Sequence, residues 1–149
     1  MSTEHDSTSA AESTTEPGPS LLTERPLLGI FVHLLGLLTS IVGPGVLYLV
    51  SSREFTRQNA RNAFNWQLLL ALSWTGVLVA MVGWILLAEL PLVPDLLAIA
   101  MFLVIFLAMF GLIVLSFCNL LFPLVATGKA IFGSAWSYPL VPDFLAYLE

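Results

Sequence analysis

LLAIAMFLVIFLAMFGLIVLSFCNLLFPLVATG, residues 96–128, is a run of 33 residues without a single Asp, Glu, Lys or Arg. A hydrocarbon core of about 30 Å is crossed by about 20 apolar residues in a helix. The run is therefore long enough to span, with residues left over. Two more uncharged runs precede it, 26–52 and 62–88, each of 27 residues. Across the 149 residues, 58% are hydrophobic and 10% charged, against about 25% charge in an ordinary soluble domain. The pattern predicts an all-α integral membrane protein with three transmembrane helices at about 27–50, 64–88 and 98–122. A soluble fold is excluded.

Between these runs the chain has distinct polar segments. Residues 1–22 open as an acidic tail rich in Ser, Thr and Glu. They hold too little apolar surface to offset the entropy of ordering, so a disordered tail is expected. The basic n-region and early apolar core of a signal peptide are missing there. The membrane domain is expected over 23–142, followed by a short interfacial segment at 143–149. In the first span, Gly43-Pro44-Gly45 predicts a kink or break, because proline lacks a backbone donor and crowds the preceding turn. If that break makes the segment re-entrant, the tail stays on the same side as residues 51–61.

SSREFTRQNAR, residues 51–61, repeats arginine every fourth position, at Arg53, Arg57 and Arg61. On a helix these form one stripe, continued by Asn65. Two readings fit. One is an amphipathic lead-in with its arginines at lipid phosphates, their stems lying along apolar surface. The other is a solvated loop that sets topology. Both place the basic residues, with Lys129, on the cytoplasmic side, because basic residues are retained there. With three spans, the N-terminus is expected outside and the C-terminus in the cytoplasm. Trp66 and Trp84 lie 18 positions apart, about 27 Å along a helix, which suits two interfacial anchors. The third run is longer than one span needs, and predicts tilt, protrusion or a break near Pro123.

Composition narrows function more than it defines it. Cys118 is the only cysteine, so no disulfide framework is available, and the net charge of −5 argues against nucleic acid as a partner. No HExxH, CxxC, P-loop or GxGxxG motif occurs, and no cofactor, metal or enzymatic activity is expected. Helices in lipid associate through small residues. Gly29, His33, Gly36, Ser40 and Gly43 share one face of the first span, and Ser73, Gly76, Ala80 and Gly83 one face of the second. Ala108, Gly111 and Asn119 do so in the third. The expected partners are the lipid bilayer and, through such faces, a second copy or another membrane protein. His33, Gln67, Asn119 and Thr127 are polar groups in or near apolar runs. They read as interhelical hydrogen-bonding groups or, for His33, as a proton-handling site. A non-enzymatic scaffold or partner-binding subunit is the leading expectation, and a small oligomeric channel or transporter component the alternative.

Four stretches occur together in order: HLLGLL at 33–38, Gly43-Pro44, RQNARNAFNWQ at 57–67, and KAIFGSAWSYPL at 129–140. Together they resemble the small prokaryotic membrane proteins of the domain-of-unknown-function family 4870, itself similar to the Tic20-like component of chloroplast protein import. The resemblance rests on Ala63, Asn65 and Gln67 in the lead-in, and on Lys129, Ala130, Gly133, Tyr138 and Pro139 at the close. Trp66 stands where that family has Phe, and Asn59 where it often has His. The resemblance implies a helical membrane protein without a defined activity. The motif residues also have structural readings: Asn65 and Gln67 at the helix entry, Tyr138-Pro139 as an anchor at the headgroups.

Overall fold

The computed structural model describes residues 26–88, 90 and 93–147. The acidic tail expected over 1–22 lies outside them. The described residues form four α-helices: α1 (Leu27–Thr39), α2 (Val42–Val50), α3 (Glu54–Ala88) and α4 (Asp95–Ile131). A single 3-10 turn, Phe144–Tyr147, follows. No strand occurs among the described residues.

The first apolar run is divided, but not at Gly43-Pro44-Gly45. The break lies at Ser40-Ile41. Ser40 has φ 55° and ψ −131°, and Ile41 φ −68° and ψ −23°. These are close to the central positions of a type II′ turn, the mirror image of type II. Thr39 serves both sides of the turn. Its hydroxyl donates to the Leu35 carbonyl at 2.7 Å and accepts from the Gly43 amide at 3.1 Å. Pro44 is the third residue of α2, where an amide would have no intrahelical partner in any case. The proline is thus accommodated by a helix start instead of breaking a helix.

The turn folds α2 back along α1. A Cβ placed on Gly36 would lie 3.3 Å from Pro44 Cγ, although eight residues of continuous helix would separate the two positions by about 12 Å. Pro26 and Leu28, at the start of α1, border the same cavity as Leu47, Val50 and Arg53. With 13 and 9 residues, the arms are about 20 and 13 Å long, each short of a 30 Å core. Among the described residues two helices, α3 and α4, are long and apolar enough to cross a membrane. The expected three spans are therefore corrected to two candidate spans and a helical hairpin. Pro26, where the described chain begins, lies beside the Arg53 end.

α3 is continuous from the arginine stripe into its apolar half, and α4 runs unbroken through Pro123. At 35 and 37 residues they extend about 52 and 55 Å. α1, α2, the first half of α3 and the second half of α4 pack together. The buried core gathers there: Val32, Ala60 and Ala63 in one cluster, Trp66, Ala126 and Tyr138 in another. The far halves of α3 and α4 leave their apolar side chains exposed, Val79, Val82, Phe102 and Phe106 among them. Gly76, Gly83 and Gly111 face open space. The small-residue faces expected on those halves thus make no close packing within the chain. An apolar surface this extensive suits lipid and not water.

Candidate functional site

The polar residues of the packed half converge on His33, in the middle of α1. Its ring is 1% exposed. Nε2 lies 3.0 Å from Asn59 Oδ1, on α3. The Asn59 amide nitrogen donates to the Phe55 carbonyl at 2.9 Å, which leaves Oδ1 as the acceptor. The hydrogen-bond partners therefore assign the proton to Nε2 and make Nδ1 an acceptor. The Tyr138 hydroxyl fills that role as donor, 3.0 Å away. Burial pushes the Tyr138 hydroxyl above its ordinary pKa, consistent with a protonated donor. One relay thus runs from Tyr138 through neutral His33 and Asn59 to the α3 backbone. It ties together three segments that are remote in sequence.

Tyr138 belongs to a strap, residues 132–143, that returns from α4 across α3. Its ring stacks on Trp66 with centroids 5.2 Å apart and planes 10° from parallel. Phe122 and Trp136 pack edge-on to each other beside the stack. Trp66 is therefore a core residue, 2% exposed, and not the interfacial anchor expected from its distance to Trp84. Its indole donates to Asn119 Oδ1 at 2.8 Å, and Gln67 donates to the same oxygen at 3.0 Å. One acceptor on α4 thus receives two donors from α3. The Trp136 carbonyl accepts from Asn62 at 3.1 Å. Asp143 then pins the end of the strap: its carboxylate meets Arg61 Nη2 at 2.9 Å and Nε at 3.0 Å, and Asn65 Nδ2 at 2.8 Å. Burial works to raise the Asp143 pKa, but Arg61 and Asn65 outweigh it and hold the group below its ordinary value.

Beside this clamp is a polar cleft of about 360 Å³, bordered by α2, the first turns of α3 and Asp143. The Arg57 guanidinium lies 5.0 Å from the centre of the Tyr48 ring and donates to its hydroxyl at 3.5 Å. Glu54, Gln58, Arg61 and Asn62 complete the lining. No group of three or more metal-ligating side chains occurs among the described residues.

The family model described as the magnetosome magnetite crystal formation protein family, MamF/MmsF, matches residues 24–145. The chain belongs to the MamF/MmsF family. The match covers α1, α2, α3, α4 and the strap. It overturns the resemblance to family 4870 and to the Tic20-like component. Several of the residues behind that resemblance build close helix contacts: Gly36 against Pro44 and Gln67, Ala63 and Ala130 in the core, Tyr138 on His33. Such contacts arise in any small helical membrane protein, so their order along the chain did not discriminate between families. No curated protein and no solved structure matches this chain.

Within this MamF/MmsF chain, the sequence-derived residues divide into groups. His33 and Tyr138 meet directly, as do Gln67 and Asn119. Arg61 and Asn65 meet on Asp143. Gly36, Gly43 and Pro44 shape the hairpin. Lys129 and Pro139 are exposed and join neither cluster. Asn59, Asn62 and Asp143 were not singled out for these contacts by the sequence. Asn62 meets a carbonyl 74 positions away and Asp143 an arginine 82 positions away, and no local spacing announces such contacts.

Proposed function

We propose that this chain is a non-enzymatic structural subunit of the magnetosome membrane, acting in magnetite crystal formation by assembly and not by chemistry. The observation that carries the reading is the extent of the family match, 24–145. It takes in the whole packed half together with both long apolar helices. The internal use of the polar side chains supports it further. His33, Asn59, Gln67, Asn119 and Tyr138 hold helices to one another. In this reading α3 and α4 cross the bilayer, the α1–α2 hairpin dips in from one side, and the arginine-bearing end faces the cytoplasm. The open small-residue faces of α3 and α4 then meet a second copy or another membrane protein.

The test is a tagged full chain expressed in a magnetite-forming host. Fractionation should place it with the magnetosome membrane, and crosslinking there should recover a different membrane protein in fixed ratio. Uniform distribution over the cell membrane would refute the location. Recovery of homo-oligomers alone, with solute flux in reconstituted vesicles, would favour a channel instead.

A further inference from the structure

The geometry points to a phospholipid headgroup site in the polar cleft between α2, α3 and the strap, selective for a phosphodiester that carries an ammonium, as in phosphatidylethanolamine. The site rests on membrane insertion of α3 and α4 as proposed above.

Charge comes first. The cleft presents two guanidinium groups, Arg57 and Arg61, and two carboxylates, Glu54 and Asp143. Arg57 and Arg61 are one helical turn apart on α3, and Glu54 precedes Arg57 by three residues, so all three share a face. An anionic ligand without a compensating cation would bring its negative charge against Glu54 and Asp143. A zwitterion places phosphate at the arginines and ammonium at the carboxylates, and each charge meets its opposite. Guanidinium suits phosphate because its planar donors match two phosphate oxygens. Both arginines are held in place from other elements, Arg57 by Tyr48 of α2 and Arg61 by Asp143 of the strap. Little side-chain freedom is left to lose on binding.

The second observation concerns the apolar part of a lipid. Val42, Val46 and Leu49 follow i, i+4, i+7 spacing on α2, and all three are exposed. This stripe begins at the hairpin turn and ends beside Tyr48, at the mouth of the cleft. A free phosphate compound has no use for such a track, whereas an acyl chain covers it. Depth agrees as well. Arg61 precedes Leu68, where the apolar half of α3 begins, by seven residues, about 10 Å of rise. That is within reach of the headgroup layer, which adds several Å to each side of the hydrocarbon core.

The experiment uses the full chain, purified in detergent and offered equal amounts of dioleoyl phosphatidylethanolamine and dioleoyl phosphatidylglycerol, with retained lipid read by native mass spectrometry. Phosphatidylethanolamine should be retained in excess. Arg57→Gln should lower its retention about tenfold, the scale of one lost charge-assisted contact. Glu54→Gln should narrow the preference over phosphatidylglycerol. Both residues are exposed, and unchanged melting of the variants shows that the fold is intact. Equal retention of the two lipids, or an Arg57→Gln protein that keeps its phosphatidylethanolamine, overturns the site. Displacement of the lipid by equimolar soluble phosphoethanolamine overturns the lipid as the source, in favour of a water-soluble phosphate. Alkaline extraction of native membranes separates the two readings. Release of the protein refutes membrane insertion itself, whereas a retained protein without lipid preference refutes the headgroup site alone.

Discussion

At the scale of single residues, the Tyr138 hydroxyl has the sharpest consequence. Tyr138→Phe keeps the stack on Trp66 but leaves His33 Nδ1 buried without a donor. A buried polar atom deprived of its partner costs about 1–3 kcal/mol. The melting temperature of the purified protein should fall by several degrees, and Tyr138→Ala, which also loses the stack, should fall further. Equal melting of Tyr138→Phe and the parent would show that the hydrogen bond contributes nothing. Asp143 gives a pH dependence. Its folded pKa lies below the ordinary 3.8. Its contribution is therefore complete above that value and is lost as pH falls through the folded pKa. The carboxylate is half exposed, so the effect on global stability is small and is better read locally. A spin label at position 137, in a Cys118→Ser background, should keep its mobility from neutral pH down to about pH 4 and loosen only below. Loosening already between pH 7 and 5 would contradict the Asp143 clamp. The polarity of His33, Gln67 and Asn119 stood out in the sequence because each interrupts an apolar run. Asn59 did not, since it lies among other polar residues, and Asp143 did not, since its partner Arg61 is 82 positions away and no local spacing marks the pair.

At the scale of elements, the α1–α2 turn shows what pattern reading can and cannot reach. Apolar runs without charge locate the helical material. They do not distinguish one long helix from two short ones folded back. Gly43-Pro44-Gly45 drew attention because glycine and proline are strong punctuation in a sequence. The actual reversal uses Ser40, at a backbone conformation where glycine is the usual occupant. Ser40→Gly should therefore stabilise the protein by about 1 kcal/mol, after the larger chain entropy of glycine is counted. A melting curve checks the sign, and a fall would show that the turn is not strained. Gly43 is required for a different reason. A Cβ there would collide with Thr39 Oγ1 and lie 2.8 Å from Leu35 Cγ. Gly43→Ala should lower the melting temperature markedly, whereas Gly83→Ala, which meets open space, should leave the isolated chain almost unaffected. Similar losses from both substitutions would contradict the hairpin packing. Both glycines lie on small-residue faces of the same sequence pattern, and only the three-dimensional fold separates them.

At the scale of the whole molecule, the two-span arrangement proposed above predicts the sidedness of the chain. Cysteines placed at positions 52 and 134, and at position 20 in the tail, should react with a membrane-impermeant reagent from the same side. One at position 90, in the α3–α4 turn, should react from the opposite side. Labelling of positions 20 and 52 from different sides would restore a crossing by the first apolar run. The sequence made the membrane class legible through its uncharged runs. It left the number of crossings open, because 27 uncharged residues serve equally well for one span or for two short arms. The hairpin also bears on how the protein is made. His33 is synthesised early, but its partner Tyr138 follows 105 positions later, after both long helices have been synthesised. Neither short arm spans a bilayer alone, and α1 carries a polar ring that needs Asn59 and Tyr138. In the two-span arrangement proposed above, α1 is therefore seated only once α3, α4 and the strap exist to receive it. In the order of assembly, the first helix of the chain is among the last to be seated, and a released chain truncated before residue 136 should hold α3 and α4 in the bilayer with α1 still undocked.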